Sequence, residues 1–190
     1  EVEKGRALRR SGAKAGEAIL VTGNLGDSAA GLHSLRHPAS KGQDAAALLV
    51  KRHLTPTPRF TVGRYLSTKK LASSAIDVSD GLSSELHHLC EESGTGAEIH
   101  EEALPLSEAL LHYCEANKLD PLSFALDGGE DYELLFTVPL PRISEAVRDL
   151  PGETGTAVKS IGRMLPKAKG VTLITRKGQR VPLKPKGFDH

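Results

Sequence analysis

Tryptophan is absent from these 190 residues, aromatics of all kinds make up 4% of them, and methionine occurs once, at Met164. Excess charge is absent as well. The 25 basic side chains are balanced by 24 acidic ones, which removes the electrostatic ground for nucleic acid or an acidic membrane as a partner. Cysteine occurs only as Cys90 and Cys114, both in segments with helical periodicity and without metal-ligand spacing. Two half-buried thiols of this kind fit a reducing compartment. No apolar run approaches the roughly 20 residues of a membrane-spanning helix, and no signal peptide is visible, so the cytoplasm is the expected location. Glu1 stands where a translated chain carries Met, which predicts a processed chain or a fragment. The charged opening residues suit a cut near a linker, with 1–16 as linker or start of domain and 17–190 as one domain.

What is present is an alternation of short apolar runs with amphipathic stretches. The continuous run Ala18-Ile19-Leu20-Val21 reads as a buried strand. Apolar residues at helical spacing predict helices over 26–36, 43–53 and 60–71, with a break at Thr55-Pro56-Thr57-Pro58 between the last two. A strand over 74–78 turns Ile76 and Val78 one way and Asp77 and Ser79 the other. The clearest helix is 81–92, where Leu82, Leu86, Leu89 and Cys90 form one stripe. A strand over 97–100, a helix over 107–117, a strand over 132–138 and a helix over 143–150 follow. Late strands are predicted over 157–163, 171–175 and 180–183, and the basic residues among Pro and Gly over 176–186 read as a solvated tail. The order predicts an α/β (α+β) fold, a mixed sheet with helices packed on one face.

Three segments and a terminus carry polar chemistry. Ala75-Ile76-Asp77-Val78-Ser79-Asp80-Gly81-Leu82 runs from a strand into a helix N-terminus. Two carboxylates three residues apart at such a junction can share one small space and hold a hard cation such as Mg2+ beside phosphate. Ser79 or Asp80 can equally be the helix N-cap, but that leaves an acid, Asp77, in an otherwise apolar strand unexplained. Asp127-Gly128-Gly129-Glu130-Asp131-Tyr132-Glu133 suits a ligand loop and a glycine turn about equally. Thr22-Gly23-Asn24-Leu25-Gly26-Asp27-Ser28 has the outline of a phosphate loop without the Walker lysine or the three-glycine fingerprint, so Asp27 or Ser28 is expected to be an N-cap. Phe188, in a polar tail, either staples that tail to the body or stacks on a ligand ring. His87 and His88 are neighbours on a helix and point apart, which argues against a two-histidine metal site.

Taken in order, Arg9-Arg10-Ser11-Gly12-Ala13-Lys14, Val21-Thr22-Gly23, Leu25-Gly26-Asp27-Ser28-Ala29-Ala30-Gly31-Leu32, Ile76-Asp77-Val78-Ser79-Asp80-Gly81-Leu82, Gly128-Gly129-Glu130-Asp131-Tyr132-Glu133-Leu134, Ile161-Gly162-Arg163 and Gly187-Phe188-Asp189-His190 resemble the C-terminal domain of the thiamine-monophosphate kinase family. That family is related to aminoimidazole ribonucleotide (AIR) synthetase, selenophosphate synthetase and a hydrogenase-maturation protein. The resemblance implies an AIR synthetase-like C-terminal domain. The N-terminal domain, which dimerises and carries much of the ATP and Mg2+ site, is not among these residues. It also implies Asp77 and Asp80 as Mg2+ ligands, Ser79 as an ATP contact, and Arg10 on an ATP phosphate, with Arg9 as the substitute if the register slips. Glu130 and Phe188 would hold thiamine monophosphate, a carboxylate and an aromatic face suiting its cationic ring. The implied reaction is in-line transfer of the γ-phosphoryl group of ATP to the terminal phosphate of thiamine phosphate, with little activity expected from these residues alone. A sibling enzyme using ATP on another acceptor and a non-catalytic ligand-binding domain are the alternatives.

Overall fold

A computed structural model describes residues 5–38 and 41–186. Its centre is β1 (Ala18–Thr22), buried at all five positions because both sheet faces are covered there. Ile19 and Val21 enter one core, Ala18 and Leu20 the other, as the two-residue period of a strand requires. Six further strands join it: β2 (Ser74–Asp77), β3 (Thr95–His100), β4 (Leu134–Val138), β5 (Val158–Pro166), β6 (Val171–Ile174) and β7 (Arg180–Pro182). They form one sheet in the order β2-β4-β1-β5-β3-β6-β7. Every pairing is antiparallel except β3 with β6, so the sheet is mixed, as the element order predicts.

Helices cover both faces, where the sequence predicted one. On the first face, α4 (Leu82–Ser93) lays Leu82, Leu86, Leu89 and Cys90 onto Ile19, Val21 and Ile99, with α6 (Pro121–Asp127) adding Ala125 and Leu126. On the second face, α3 (Phe60–Lys69) inserts Val62 and Leu66 against Leu20 and Phe136, and α7 (Leu150–Thr154) adds Leu150. The physical reason is the apolarity of β1 and β4 on both sides, which one helical layer leaves half exposed to water. A third cluster joins α1 (Asp27–Arg36), α2 (Gln43–Leu54) and α5 (Glu108–Asn117) through Ala30, Leu49 and Tyr113.

Two further expectations are corrected. The basic residues of 176–186 are exposed, as expected of a solvated segment, but the segment is no tail: Arg180 lies in β7, where a late strand was predicted, and pairs with buried Glu98, and Leu183 donates its amide to Val171 O at 3.0 Å. The strand predicted from 132 begins at Leu134, because Tyr132 has φ 52°, a left-handed conformation that no strand contains. Among the described residues no helix is long and apolar enough to cross a membrane.

Candidate functional site

Strand β2 ends with Ile76 in the core and Asp77 exposed, the alternation read from sequence. Val78 is fully buried and donates its amide to Glu133 O at 2.7 Å. The chain then passes through half-buried Ser79 and Asp80 to Gly81, which takes the N-cap position of α4 with φ 104°. Glu85, in the first turn of α4, reaches back to accept from Ser79 Oγ and from the Asp80 amide, each at 3.1 Å.

The second loop, 128–133, lies directly against the first. The Glu130 amide donates to Ser79 O at 2.7 Å and the Tyr132 amide to Val78 O at 2.9 Å. Its acids divide by role. Asp131 turns inward and caps α1, accepting from the Gly26 amide at 2.7 Å and the Ser28 amide at 3.1 Å. This corrects the expectation that Asp27 or Ser28 caps that helix. Gly26 is the N-cap residue and has no side chain to offer, so the acceptor comes from 105 residues along the chain. Asp27 is instead buried, accepting from Ser107 Oγ at 2.5 Å and pairing with Arg52. Desolvation pushes the Asp131 carboxyl up to about 7, the two amide bonds opposing the shift. Glu133 is buried and takes Thr22 Oγ1 and both arms of Arg59. Asp127 accepts from Ser83 Oγ at 2.9 Å. Glu130 alone of this group is exposed, with the Tyr132 hydroxyl 3.4 Å from its Oε1.

Asp77, Asp80 and Glu130 lie near enough to Tyr132 for their charges to act on it, and of the three only Asp77 lines the cleft that opens beside them. The phenol of Tyr132 is held above its ordinary pKa first by the charge of Glu130, then by burial and its hydrogen bond to Glu130, then by the charges of Asp77 and Asp80. Beside this acidic edge opens a cleft of about 1040 Å3. Asp77 and Tyr132 lie at its acidic side, and Arg6, Arg59 and Arg64 on its walls. Phe60, also in the lining, is 82% exposed. Carboxylates next to arginines suit a ligand that carries both a cation and phosphates.

The remaining predicted residues sit elsewhere. Arg10 is exposed and outside the cleft lining; its carbonyl accepts from Ser93 Oγ at 3.3 Å, at the end of α4 away from Asp80. Arg9 is exposed and its carbonyl accepts the Ala75 amide at 2.8 Å. Phe188 lies outside the described residues. Lys186 rests at the start of α4, with its amide 3.4 Å from Ser83 Oγ and its Nζ 3.9 Å from Asp127 Oδ2. Sequence reasoning gave Arg59 and Tyr132 no role of their own, although Tyr132 lies in the segment 127–133 read as a candidate ligand loop. Arg59 follows the two prolines read only as a break, and Tyr132 was absorbed into a predicted strand. Among the described residues no group of three or more His, Cys, Asp or Glu side chains is poised for a metal ion. Asp77 and Asp80 are of the donor type that Mg2+ takes, since that ion commonly binds one or two carboxylates and completes its shell with waters and substrate phosphates.

The chain is similar to known proteins over nearly its whole length. The thiamine-monophosphate kinase of Escherichia coli (strain K12) is 46% identical over 192 residues, covering all of this chain and 57% of that protein. The crystal structure of thiamine-monophosphate kinase from Stenotrophomonas maltophilia K279a superposes with a TM-score of 0.82 at 34% identity, over 95% of this chain and 56% of that one. The structure of AaThiL complexed with AMPPCP and TMP superposes with a TM-score of 0.79 at 38% identity, over 96% of this chain and 54% of that one. The chain thus spans little more than half the length of the relatives it matches. Residues 14–174 match the profile described as AIR synthase related protein, C-terminal domain, and the chain belongs to that family.

Proposed function

We propose that this chain serves as the C-terminal domain of an ATP-dependent thiamine-phosphate kinase. The observation that carries the proposal is the direct contact of the two acidic loops, with the Glu130 amide on Ser79 O at 2.7 Å, beside a cleft whose lining includes Asp77, Tyr132, Arg6 and Arg64. The likeness to AaThiL, whose structure holds AMPPCP and TMP, supports the choice of ligands. In this reading Asp77 and Asp80 hold Mg2+, Ser79 contacts ATP, and Glu130 and Phe188 hold thiamine monophosphate, while the position of Arg10 at the other end of α4 and outside the cleft does not support it as a phosphate contact. The bound Mg2+ would neutralise the charge of the phosphates. Glu130, exposed and already attracting a phenol proton, can accept from the amino group of the pyrimidine or offset the thiazolium charge. An oxygen of the thiamine phosphate bonds to the γ-phosphorus of ATP, the bond from that phosphorus to its bridging oxygen breaks, and ADP leaves. Such a transfer needs positioning and charge neutralisation and no covalent nucleophile. The other residues of the intact enzyme would complete the metal and nucleotide site and form its dimer.

The test uses the full-length polypeptide that carries this chain. With ATP, Mg2+ and thiamine phosphate it should form thiamine diphosphate and ADP in equal amounts. Asp80→Asn should lower turnover at least about 100-fold, the scale of losing one pre-organised electrostatic group, while shifting the melting temperature little. Equal losses of turnover and stability in that variant, or no thiamine diphosphate from the unaltered protein, would overturn the assignment.

A further inference from the structure

We infer that Arg59 is a positioning residue for substrate binding: through Glu133 it holds the 128–133 loop in the shape that presents Glu130 and Tyr132 to the cleft. The inference rests on the reading of Glu130 as a thiamine-phosphate contact.

The loop needs such a device. Glu130 and Tyr132 have φ of 61° and 52°, left-handed values that a side chain with Cβ disfavours. Strained residues of this kind persist only where their surroundings over-determine them. The surroundings here alternate along the chain. Glu130 and Tyr132 face outward, while Asp131 and Glu133 between and after them turn inward as anchors. Asp131 ties the loop to the start of α1 through the Gly26 and Ser28 amides. Glu133 ties it to the cleft wall, with Arg59 Nε 2.7 Å from Oε2 and Nη2 2.5 Å from Oε1.

The second anchor is specific to a planar fork. Two parallel bonds fix the carboxylate in angle as well as in distance, which a point-charge ammonium cannot do. Glu133 Oε2 also accepts from Thr22 Oγ1, and that same hydroxyl accepts the Leu134 amide at 2.8 Å, setting the residue at which β4 begins. Without the guanidinium, buried Glu133 would be held by the Thr22 hydroxyl alone, and a buried carboxylate short of partners is costly. Letting Glu133 swing out to water relieves that cost, and the two residues presented by the loop would move. Arg59 stands at the N-terminal end of α3, its carbonyl accepting the Gly63 amide at 2.9 Å, so its pair with Glu133 ties the loop to the start of that helix.

Two measurements on the full-length protein test this. The first is amide hydrogen exchange, which needs no substrate. In Arg59→Lys the Glu130 and Tyr132 amides should exchange at least about tenfold faster, while the Phe136 amide in β4 stays unchanged. The second is steady-state kinetics. The same variant should raise KM for thiamine phosphate about tenfold and leave KM for ATP within about twofold. Unchanged exchange at Glu130 and Tyr132 would overturn the inference whatever the substrate is. Faster exchange with an unchanged KM for thiamine phosphate would make Arg59 purely structural and would overturn it too. Failure of the unaltered protein to phosphorylate thiamine phosphate rejects the functional reading and the substrate half of this inference with it; the exchange result still decides the loop half.

Discussion

Gly129 lies so close over Ser79 that a Cβ on it would stand 2.5 Å from the Ser79 carbonyl oxygen. This approach lets the two acidic loops share one edge, since Glu130 follows at once and donates its amide to that same oxygen. Gly129 also has φ 69°. Gly129→Ala should therefore destabilise the chain by about 2 kcal/mol or more, combining left-handed strain with displacement of backbone. Gly152, in α7 with open space around its Cα, is the control. Gly152→Ala should be neutral or stabilising by up to about 1 kcal/mol. Urea denaturation of both variants decides; equal effects would show that the loops are not in contact.

Asp131→Asn should flatten part of the pH dependence of stability. The folded carboxyl titrates at about 7, against about 3.9 in an unfolded chain. A raised folded pKa means the group's stabilising contribution is full below about pH 4 and is lost as pH rises through about 7. The amide variant has no such loss. It turns an N–H toward the Gly26 or Ser28 amide, however, and should cost about 1–3 kcal/mol in acid. The gap between the two proteins should therefore be wide at about pH 5 and narrow by about pH 8, measured by urea denaturation at each. A gap that widens with pH would show that Asp131 is ionised and stabilising.

Much of this was legible in the sequence wherever one local period decided the outcome. The run 18–21 reads as a buried strand, though not as one covered by helices on both sides, and the stripe Leu82, Leu86, Leu89 and Cys90 reads as the inner face of a helix. Asp77 was readable as an exposed acid because its neighbours Ile76 and Val78 are apolar. What escaped depends on partners far along the chain. Nothing near Gly26 announces that its cap is Asp131, and nothing near Arg59 announces Glu133, 74 residues on. Helix α6 was passed over although its signals are local: Asp120 accepts from the Leu122 amide at 3.0 Å and Pro121 occupies the first turn. Seven residues are too few to show a period, so the cap was the only cue.

Cys90 and Cys114 should be inert in the folded protein. Both are buried, and burial pushes each thiol up to about 11. At about pH 7.5 only some 10⁻³ to 10⁻⁴ of either is thiolate, the form that reacts. An alkylating reagent should therefore label neither under native conditions and both in denaturant, counted by mass spectrometry. Rapid native labelling of one cysteine would mean that its helix opens locally on the experimental timescale.

Thr22→Val isolates the polar contribution of the Glu133 anchor from packing. The two side chains have the same shape, so the change opens no cavity. It removes the hydroxyl that donates to Glu133 Oε2 and accepts the Leu134 amide. Thr22 is fully buried, so water cannot step in for the lost oxygen. Two polar groups lose a partner at once, one of them a charged carboxylate, and the expected cost is about 2–4 kcal/mol. The loss should appear as a lower urea midpoint with an unchanged slope, because the folded core keeps its extent. In Arg59→Lys the carboxylate is already loosened, so adding Thr22→Val there should cost less than it does alone. Strict additivity of the two changes would mean that Thr22 and Arg59 act on Glu133 independently, and the anchor would not be a single unit.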